Sequence, residues 1–226
     1  MIYHKYENPD GLNKRQLWLI ATSAMLAQTN KERHDTLLPH GNAGTQTQLE
    51  SSKMALKRDY DIEDLTGMAD TLKYFDEIVT FKAFQFQWEM KSDKEFKAFS
   101  GINTIDKSYP NVVDMVQKYQ FDLPESDQAW HYGRCAWLIR HAFFSGFIKE
   151  GEAWQLLEEN AGRIREIFKS WERFGVSYIA GAQYWKRENY TEHAISSYKR
   201  NLIFLLTNKN SPWVQLGWGI SGGISN

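Results

Sequence analysis

The stretch WHYGRCAWLIRHAFFSGFI, residues 130–148, decides the fold. Apolar side chains occur on every face of a helix drawn through it, and a helix that is apolar all round is buried inside a protein. Asp122, followed by Pro124 in the first turn and by Glu125, is typical of a helix start. The sequence therefore predicts a buried central helix over residues 124–148.

A second apolar stripe lies between Trp154 and Trp185. Large side chains recur there at alternating spacings of three and four residues, which is typical of a helix that packs along its neighbours. The tryptophans of this stripe, which are Trp154, Trp171 and Trp185, are therefore predicted to lie in the core. One straight helix over residues 151–186 would be about 54 Å long, whereas a domain of this size is about 45 Å across. We therefore predict a break in the helix, either at Ser170 or at Gly175.

Most of the remaining chain also has helical spacing. Residues 48–58 form one segment, a second begins at Asp61 as its N-cap, and a last helix covers about residues 191–207. The stretch Phe84–Met90 alternates apolar and polar residues as a strand does, but its aromatic residues also fit a helix, which is our prediction. The predicted fold class is all-α, a single-domain irregular helical bundle around a buried central helix.

An apolar segment near the N-terminus, residues 17–27, has two interpretations. It follows two basic residues as the core of a signal peptide does, but Thr22 and Ser23 interrupt it. Helical spacing, with Asn13 as N-cap and Asn30 at the end, favours a helix and a cytoplasmic protein. The predicted boundaries are an N-terminal extension over 1–12, a helical domain over 13–218 and a C-terminal tail over 219–226.

The composition argues against several classes of partner. The 27 basic and 28 acidic residues leave a net charge of −1 and are dispersed along the chain, so nucleic acid is not an expected partner. Cys135 is the single cysteine and can form neither an intramolecular disulfide nor a cysteine-clustered zinc site. No apolar run is long enough for a membrane span. We expect no metal, no cofactor and no membrane, while a protein partner and the oligomeric state stay open.

Polar residues on the central helix are the first candidate site. Arg134 and His141 share one stripe, and His131 and Arg140 lie on adjoining faces. A buried guanidinium requires a carboxylate or backbone carbonyl groups. Arg134 therefore belongs either to a structural ion pair, to a pocket for an anionic ligand or partner side chain, or to a catalytic site. Its candidate carboxylate partners are Asp35, Glu89, Glu152 and Glu172.

A second candidate is the triplet Arg33–His34–Asp35, which combines a base, a proton shuttle and an acid after the first helix. The chain has no His-Glu-x-x-His sequence, no nucleophile elbow and no Walker motif, so the catalytic residues stay unknown. The candidate ligand-binding residues are Arg134, His131, His141, Arg140, His34, Asp35 and Glu152.

The central region resembles the pattern of a known family, the bacterial DUF1266 domain. The resemblance extends over about residues 13–218, and it departs from the family at His131, where an acidic residue is usual. It implies a bacterial protein of unknown function and no particular catalytic residue. The similar positions are Trp130, Arg134, Arg140, Gly146, Glu152, Ala153, Trp154, Ser170, Trp171, Tyr178, Gly181 and Trp185, with shorter stretches at Leu17–Asp35, Tyr60–Ile62 and Ser211–Trp218.

The sequence favours a binding or interaction protein, of the immunity or regulatory kind and without catalysis. Trp, Tyr and Arg dominate the binding energy of protein interfaces, so this hypothesis predicts a contiguous exposed aromatic surface. The alternative is an enzyme, a small hydrolase or one that acts on a nucleotide or phosphate ligand. Such an enzyme requires four residues in one cleft: Arg134, His131, His34 and Asp35.

Overall fold

The structure is a computed structural model that describes residues 5–78, 128–185 and 192–219. All regular structure in these ranges is helical, which confirms the predicted all-α class. No described helix is long and apolar enough to cross a bilayer. The helices are α1 (Lys14–Ala21), α2 (Ala24–Asn30), α3 (Gln46–Tyr60), α4 (Leu65–Ile78), α5 (Ala129–Phe144), α6 (Glu150–Ile167), α7 (Trp171–Trp185), α8 (Glu192–Thr207) and α9 (Pro212–Gln215), with a 3-10 helix at Gly41–Ala43.

Helix α5 is the central, buried helix that the sequence predicts. It packs against α2, α3, α4, α6 and α7. Gly133 allows α7 to approach, because a Cβ atom there would lie 2.9 Å from the ring of Tyr178. The helix ends at Phe144, earlier than predicted, since Gly146 adopts a left-handed φ of 75°. The predicted start at residues 122–125 and the question of helix or strand at 84–90 lie outside the described residues.

The long apolar stripe is divided between α6 and α7, as the length argument predicts. The break is at Ser170, whose hydroxyl oxygen accepts a hydrogen bond from the backbone amide of Arg173 at 3.1 Å and so caps α7. Gly175, the other predicted break, lies within α7 instead. A Cβ atom there would collide with Leu202 of α8, so this glycine serves close packing and not a kink.

The first predicted helix is two helices. Asn13 is the N-cap of α1, as predicted, with its side chain accepting a backbone amide. Thr22 and Ser23 separate α1 from α2, and their hydroxyl groups donate to backbone carbonyls of the preceding turn at 2.6 and 2.7 Å. Such side-chain bonds compete with the helical hydrogen bonds of the backbone. The polar pair that interrupts the apolar segment therefore also divides the helix.

The turn between α3 and α4 corrects the prediction for Asp61. Asp61 ends α3 with a left-handed φ of 55°, and its amide donates to the carbonyl of Lys57 at 3.1 Å. Helix α4 begins at Leu65, and the Asp64 carboxylate accepts the amide of Gly67 at 2.8 Å. Asp fits both positions, because it tolerates left-handed backbone and also caps helices. This turn forms one wall of the cavity described below.

A tryptophan cluster joins α1 to the end of the described chain. Trp171 stacks on Trp213 at 5.1 Å between ring centroids, and Trp18 and Trp218 lie 5.1 and 4.8 Å from Trp171. Trp18, Trp213 and Trp218 lie outside the apolar stripes that the sequence predicts for residues 130–185. Conversely, Trp185 belongs to the second stripe but is 40% exposed. The prediction that Trp185 lies in the core is wrong, because the last turn of α7 faces a cavity.

Candidate functional site

The polar residues of α5 face two different regions. Arg134 and Arg140 are six residues apart, which places them about 9 Å apart along the helix and about 120° apart around it. Arg140 and His141 meet α2, α3 and the loop after α2. Arg134 and His131 meet α4 and the end of α7. Each region is therefore a separate candidate site.

Arg140 is fully buried, and each of its side-chain nitrogens has a partner. It donates to the backbone carbonyls of Arg33 (2.8 Å), Thr36 (3.1 Å) and Leu37 (3.2 Å), and to the hydroxyl of Ser23 (3.0 Å). Burial lowers the pKa of Arg140 to about 10, although two nearby carboxylates act in the opposite direction. Arg140 thus holds an irregular loop against the central helix.

Asp35 and His34 belong to the same loop. The Asp35 carboxylate binds the guanidinium of Arg33 at 2.9 Å and accepts the backbone amides of residues 7–8 at 2.7 and 2.9 Å. Burial raises the pKa of Asp35, but these donors outweigh burial and hold the pKa below its usual range. His34 is buried with its Nε2 2.9 Å from the amide oxygen of Gln28. Both residues anchor the loop within the fold.

A chain of buried side chains connects the loop after α2 with α3 and α5. His141 Nε2 lies 3.1 Å from the carboxylate of Glu32, and His141 Nδ1 lies 2.9 Å from the hydroxyl of Ser52. Ser145 donates to Ser52 at 3.0 Å, and the indole of Trp137 donates to both oxygens of Glu32 at 3.0 and 2.9 Å. We call the residues Glu32, His141 and Ser52 the relay. Its residue types are those of a Ser-His-acid triad.

The relay is enclosed by the protein. Ser52, His141 and Glu32 are 5%, 4% and 3% exposed, whereas a nucleophile must reach the carbonyl that it attacks. Burial raises the pKa of Glu32, but the hydrogen bond and charge of His141, the charge of Arg140 and the indole of Trp137 outweigh burial and lower it. Glu32 is therefore a carboxylate that ties the loop after α2 to the central helix α5.

A cavity of about 530 Å³ opens beside the α3–α4 turn, between α4, α5 and the end of α7. This volume lies within the range of small-molecule sites. Tyr60, Tyr74, Phe75 and Trp185 form its aromatic walls, and Arg134 is the cation among them. Tyr74 and Trp185, exposed by 56% and 40%, are the large aromatic side chains that the described residues expose. Both line this cavity, which we call the Arg134 pocket, whereas the contiguous exposed aromatic surface that the interaction hypothesis predicts stays a prediction.

Arg134 is held by aromatic rings. Its guanidinium carbon lies 5.4 Å from the ring centre of Tyr60, 5.2 Å from Phe75, 5.1 Å from Trp130 and 5.6 Å from Trp185. Its Nη2 donates to the hydroxyl of Tyr60 at 2.5 Å. Its Nη1 is buried and has no hydrogen-bond partner in the described part of the chain. Cation–π contacts fix the guanidinium in place while Nη1 stays without a hydrogen-bond partner among the described residues.

The described residues pair Arg134 with none of its predicted carboxylate partners. Asp35 is bound in the loop after α2, and Glu152 accepts the backbone amide of the N-cap of α6 at 2.7 Å. Glu172 is exposed at the start of α7, and Glu89 lies outside the described residues. The ion pair is replaced by four aromatic rings, of which Tyr60 also accepts a hydrogen bond through its hydroxyl. Helices α3, α4 and α7 bring three of these rings to Arg134, and Trp130 of α5 is the fourth.

His131 is the second predicted residue at this pocket. Its ring lies 5.4 Å from Phe75 and 5.8 Å from Trp185, and the side chain is buried. Burial, with a smaller contribution from the charge of Arg134, lowers the pKa of His131 to about 4. His131 is therefore neutral at neutral pH and supports the aromatic wall.

The structure divides the cleft that the enzyme hypothesis requires. Arg134 lines the pocket and His131 packs on Phe75 and Trp185 of its wall, whereas His34 and Asp35 are buried in the loop after α2. The four residues therefore form two clusters.

Sequence reasoning missed Glu32 and Ser52 of the relay and Phe75 of the pocket. It treated Tyr60 as part of a family-like turn and Trp185 as a core residue. Tyr60 contacts Arg134 across 74 positions of sequence, and Ser52 contacts His141 across 89. Local spacing carries no signal for such pairs.

Metal-binding chemistry has little support among the described residues. They contain no group of three or more His, Cys, Asp or Glu side chains that could hold a metal ion. Cys135 is fully buried, and burial raises the pKa of its thiol to about 12. Its thiol therefore stays protonated and unreactive.

The comparisons with known proteins identify a family. The model of a family described as a protein of unknown function, DUF1266, matches residues 55–218. All residues that line the Arg134 pocket lie within this range, whereas Glu32 and Ser52 lie before it. Searches of the curated proteins and of the solved structures found no significant match. Because the family match covers more than half of the sequence, the chain belongs to the DUF1266 family.

Proposed function

We propose that this chain is a binding protein, of the immunity or regulatory kind and without catalysis, that recognises a ligand or a partner side chain in the Arg134 pocket. One observation carries the proposal. The pocket ends on a guanidinium whose Nη1 has no hydrogen-bond partner among the described residues. A bound group with a hydrogen-bond acceptor would supply that partner.

The energetics of Arg134 support recognition. A buried donor without a partner costs about 1–3 kcal/mol, and more when it is charged. The four rings hold the guanidinium in one position before any ligand arrives. A ligand therefore gains the hydrogen bond with little ordering of the protein, which is the usual origin of affinity at a preorganised site.

The chemistry of the pocket wall supports binding over catalysis. Covalent catalysis requires a nucleophile beside a base. The hydroxyl of Thr71, which lines the pocket, donates to the backbone carbonyl of Tyr60 at 3.2 Å. The phenol of Tyr60 accepts a hydrogen bond from Arg134. Both hydroxyl groups therefore hold the wall together.

The proposal places the protein in the bacterial cytoplasm, with no role for nucleic acid or membrane. The bacterial setting rests on the family resemblance. The apolar segment 17–27 lies largely buried in α1 and α2, which pack against α5, α6, α8 and α9. Its burial supports a structural helix at the place where the sequence also suggested a signal peptide.

The experiment compares the wild type with Arg134→Met and Arg165→Met. Arg165 is a matched control, because its guanidinium lies 5.6 Å from the ring of Trp18 and does not line the pocket. Each protein is purified from a native bacterial lysate, and bound molecules are identified by native mass spectrometry. We expect a ligand on the wild type and on Arg165→Met that Arg134→Met lacks.

Equal occupancy in all three proteins contradicts the proposal, as does no ligand on any of them. Arg134→Lys separates lost recognition from lost folding, since Lys keeps the charge but not the planar donor pair. Circular dichroism of each variant gives the folded fraction. A folded Arg134→Lys that retains full occupancy would also overturn the role of Nη1.

A hydrolase is the second candidate, and the relay is the observation that favours it. Ser52, His141 and Glu32 have triad distances of 2.9 and 3.1 Å. A fluorophosphonate probe forms a covalent bond with an activated, accessible serine. The binding proposal predicts no labelling, because Ser52 is enclosed. Labelling that disappears in Ser52→Ala would establish the hydrolase instead.

A further inference from the structure

We propose that the Arg134 pocket binds the carboxyl end of a short peptide segment that carries a basic residue just before its end. This inference rests on the proposed binding function and adds the chemical class of the ligand. The terminal carboxylate would meet Arg134, the basic side chain would meet Asp61 and Asp70 at the mouth, and the last side chain would pack on Tyr74 and Trp185.

The inner end of the pocket offers donors. Arg58 also lines the pocket, but its guanidinium is bound to Asp59 at 2.7 and 2.8 Å. Arg134 is therefore the cation of the described lining that no carboxylate neutralises. A carboxylate with two oxygens suits the planar guanidinium, which binds such groups through paired hydrogen bonds.

Two further donors lie beside Arg134. Trp130 Nε1 and the Tyr178 hydroxyl are buried without a hydrogen-bond partner in the described ranges. The two rings are 5.0 Å apart, and the Trp130 ring is 5.1 Å from the Arg134 guanidinium carbon. Burial raises the pKa of Tyr178 well above its usual value, so its hydroxyl stays protonated. Neither side chain lines the pocket, but both add unpaired donors around Arg134, so the surroundings of the guanidinium favour an acceptor.

The mouth of the pocket has the opposite charge. Asp61 and Asp70 are exposed and line the opening, and neither has an ion-pair partner within 4.0 Å among the described residues. The pocket is thus positive inside and negative outside. A ligand with a carboxylate at one end and a cation farther out matches this order. A ligand that carries only phosphate groups has no cation to offset its repulsion by the two carboxylates.

The walls suit an apolar side chain. Tyr74 and Trp185 line the pocket and are exposed, and aromatic side chains anchor bound partners well. The turn beside them is tightly packed, because a Cβ atom at Gly67 would lie 2.8 Å from the carbonyl oxygen of Asp61. A volume of about 530 Å³ accommodates a few residues of peptide and excludes a folded domain.

Isothermal titration calorimetry of the full chain with three synthetic peptides tests the inference. The first is acetyl-Lys-Ala-Phe with a free carboxylate, the second is its C-terminal amide, and the third has Glu in place of Lys. We expect the free acid to bind, the amide to bind at least about tenfold more weakly, and the Glu peptide about threefold to tenfold more weakly.

Protein variants assign each end of the peptide. Arg134→Met should lower the affinity for the free acid to that for the amide. Asp70→Asn should weaken binding of the Lys peptide and leave binding of the Glu peptide unchanged. The control Asp10→Asn, at an exposed position outside the pocket, should change the affinity for neither peptide. Affinity for the Lys peptide should also fall with salt, because the rim contacts are exposed.

The outcomes separate this inference from the proposed function. If the amide binds as tightly as the acid, the carboxylate contact is wrong. If none of the peptides binds but an Arg134-dependent ligand comes from the lysate, the ligand class is wrong and the binding function stands. If neither experiment finds an Arg134-dependent ligand, both proposals fail.

Discussion

Arg134 and Arg140 lie on the same helix, six residues apart, in contrasting surroundings. Arg140 is fully buried and donates to three backbone carbonyls and one hydroxyl. Arg134 has four aromatic rings around it, one of which belongs to its hydrogen-bond acceptor Tyr60, and one of its nitrogens has no partner among the described residues. The same side chain is therefore a structural tie in one place and an unsatisfied donor in the other.

The difference comes from the neighbouring backbone. The loop over residues 33–37 is irregular, so its carbonyl groups need donors from elsewhere in the fold. Arg140 supplies those donors. Arg134 instead faces α3, α4 and α7, whose backbone groups are used within the helices. A guanidinium at that position finds aromatic rings, and its Nη1 is left without a hydrogen-bond partner among the described residues.

The largest expected effect tests the structural side of this comparison. Arg140→Met should lower the free energy of unfolding by about 3–5 kcal/mol, because it leaves three buried carbonyl groups without donors. Chemical denaturation measures this loss. A loss below about 1 kcal/mol would show that water can replace Arg140 as the donor to the loop carbonyl groups. Arg140 would then not be the structural tie that distinguishes it from Arg134.

The next effect concerns pH and His131 on the pocket side. The pKa of His131 is about 4 in the folded protein against 6.5 in an unfolded chain, so the unfolded state takes up the proton first. The free energy of unfolding should fall as pH drops from 6.5 to about 4, by on the order of 3 kcal/mol. His131→Phe should flatten the profile over this range. An unchanged slope in that variant would contradict the assignment.

A smaller effect is expected on the relay side. The folded pKa of Glu32 is lowered, so its contribution is present at neutral pH and is lost as pH falls below the usual range for a glutamate. Glu32→Gln should cost about 2 kcal/mol at pH 7 and should reduce acid destabilisation below about pH 4. Denaturation at pH 7 and pH 3.5 checks both. Equal cost at the two pH values would mean that the carboxylate charge is irrelevant.

The smallest expected effect on stability is at the pocket itself. Arg134→Met should change the free energy of unfolding by about 1 kcal/mol or less, because one hydrogen bond is lost while an unpaired donor disappears as well. Chemical denaturation beside Arg140→Met makes the comparison direct. A cost equal to that of Arg140→Met would identify Arg134 as a second structural tie and remove the basis of the binding proposal.

Local patterns predicted much of the architecture. The buried character of α5, the cap at Asn13 and the break at Ser170 each depend on residues within a few positions of one another. The cap at Asp61 was wrong for a local reason too, since an aspartate serves equally well at either end of a helix. Trp185 was wrong for a different reason: a regular stripe does not reveal where the neighbouring helix ends.

The sequence by itself determined an all-α fold around α5, because helical periodicity and capping act over three or four residues. It also singled out Arg134 and Arg140 as polar residues on an apolar helix. Only the tertiary structure decided which of the two guanidinium groups has a hydrogen-bond partner for every nitrogen. Their partners lie 74 to 117 positions away, at Tyr60 and at Ser23, and the packing of whole helices brings them together.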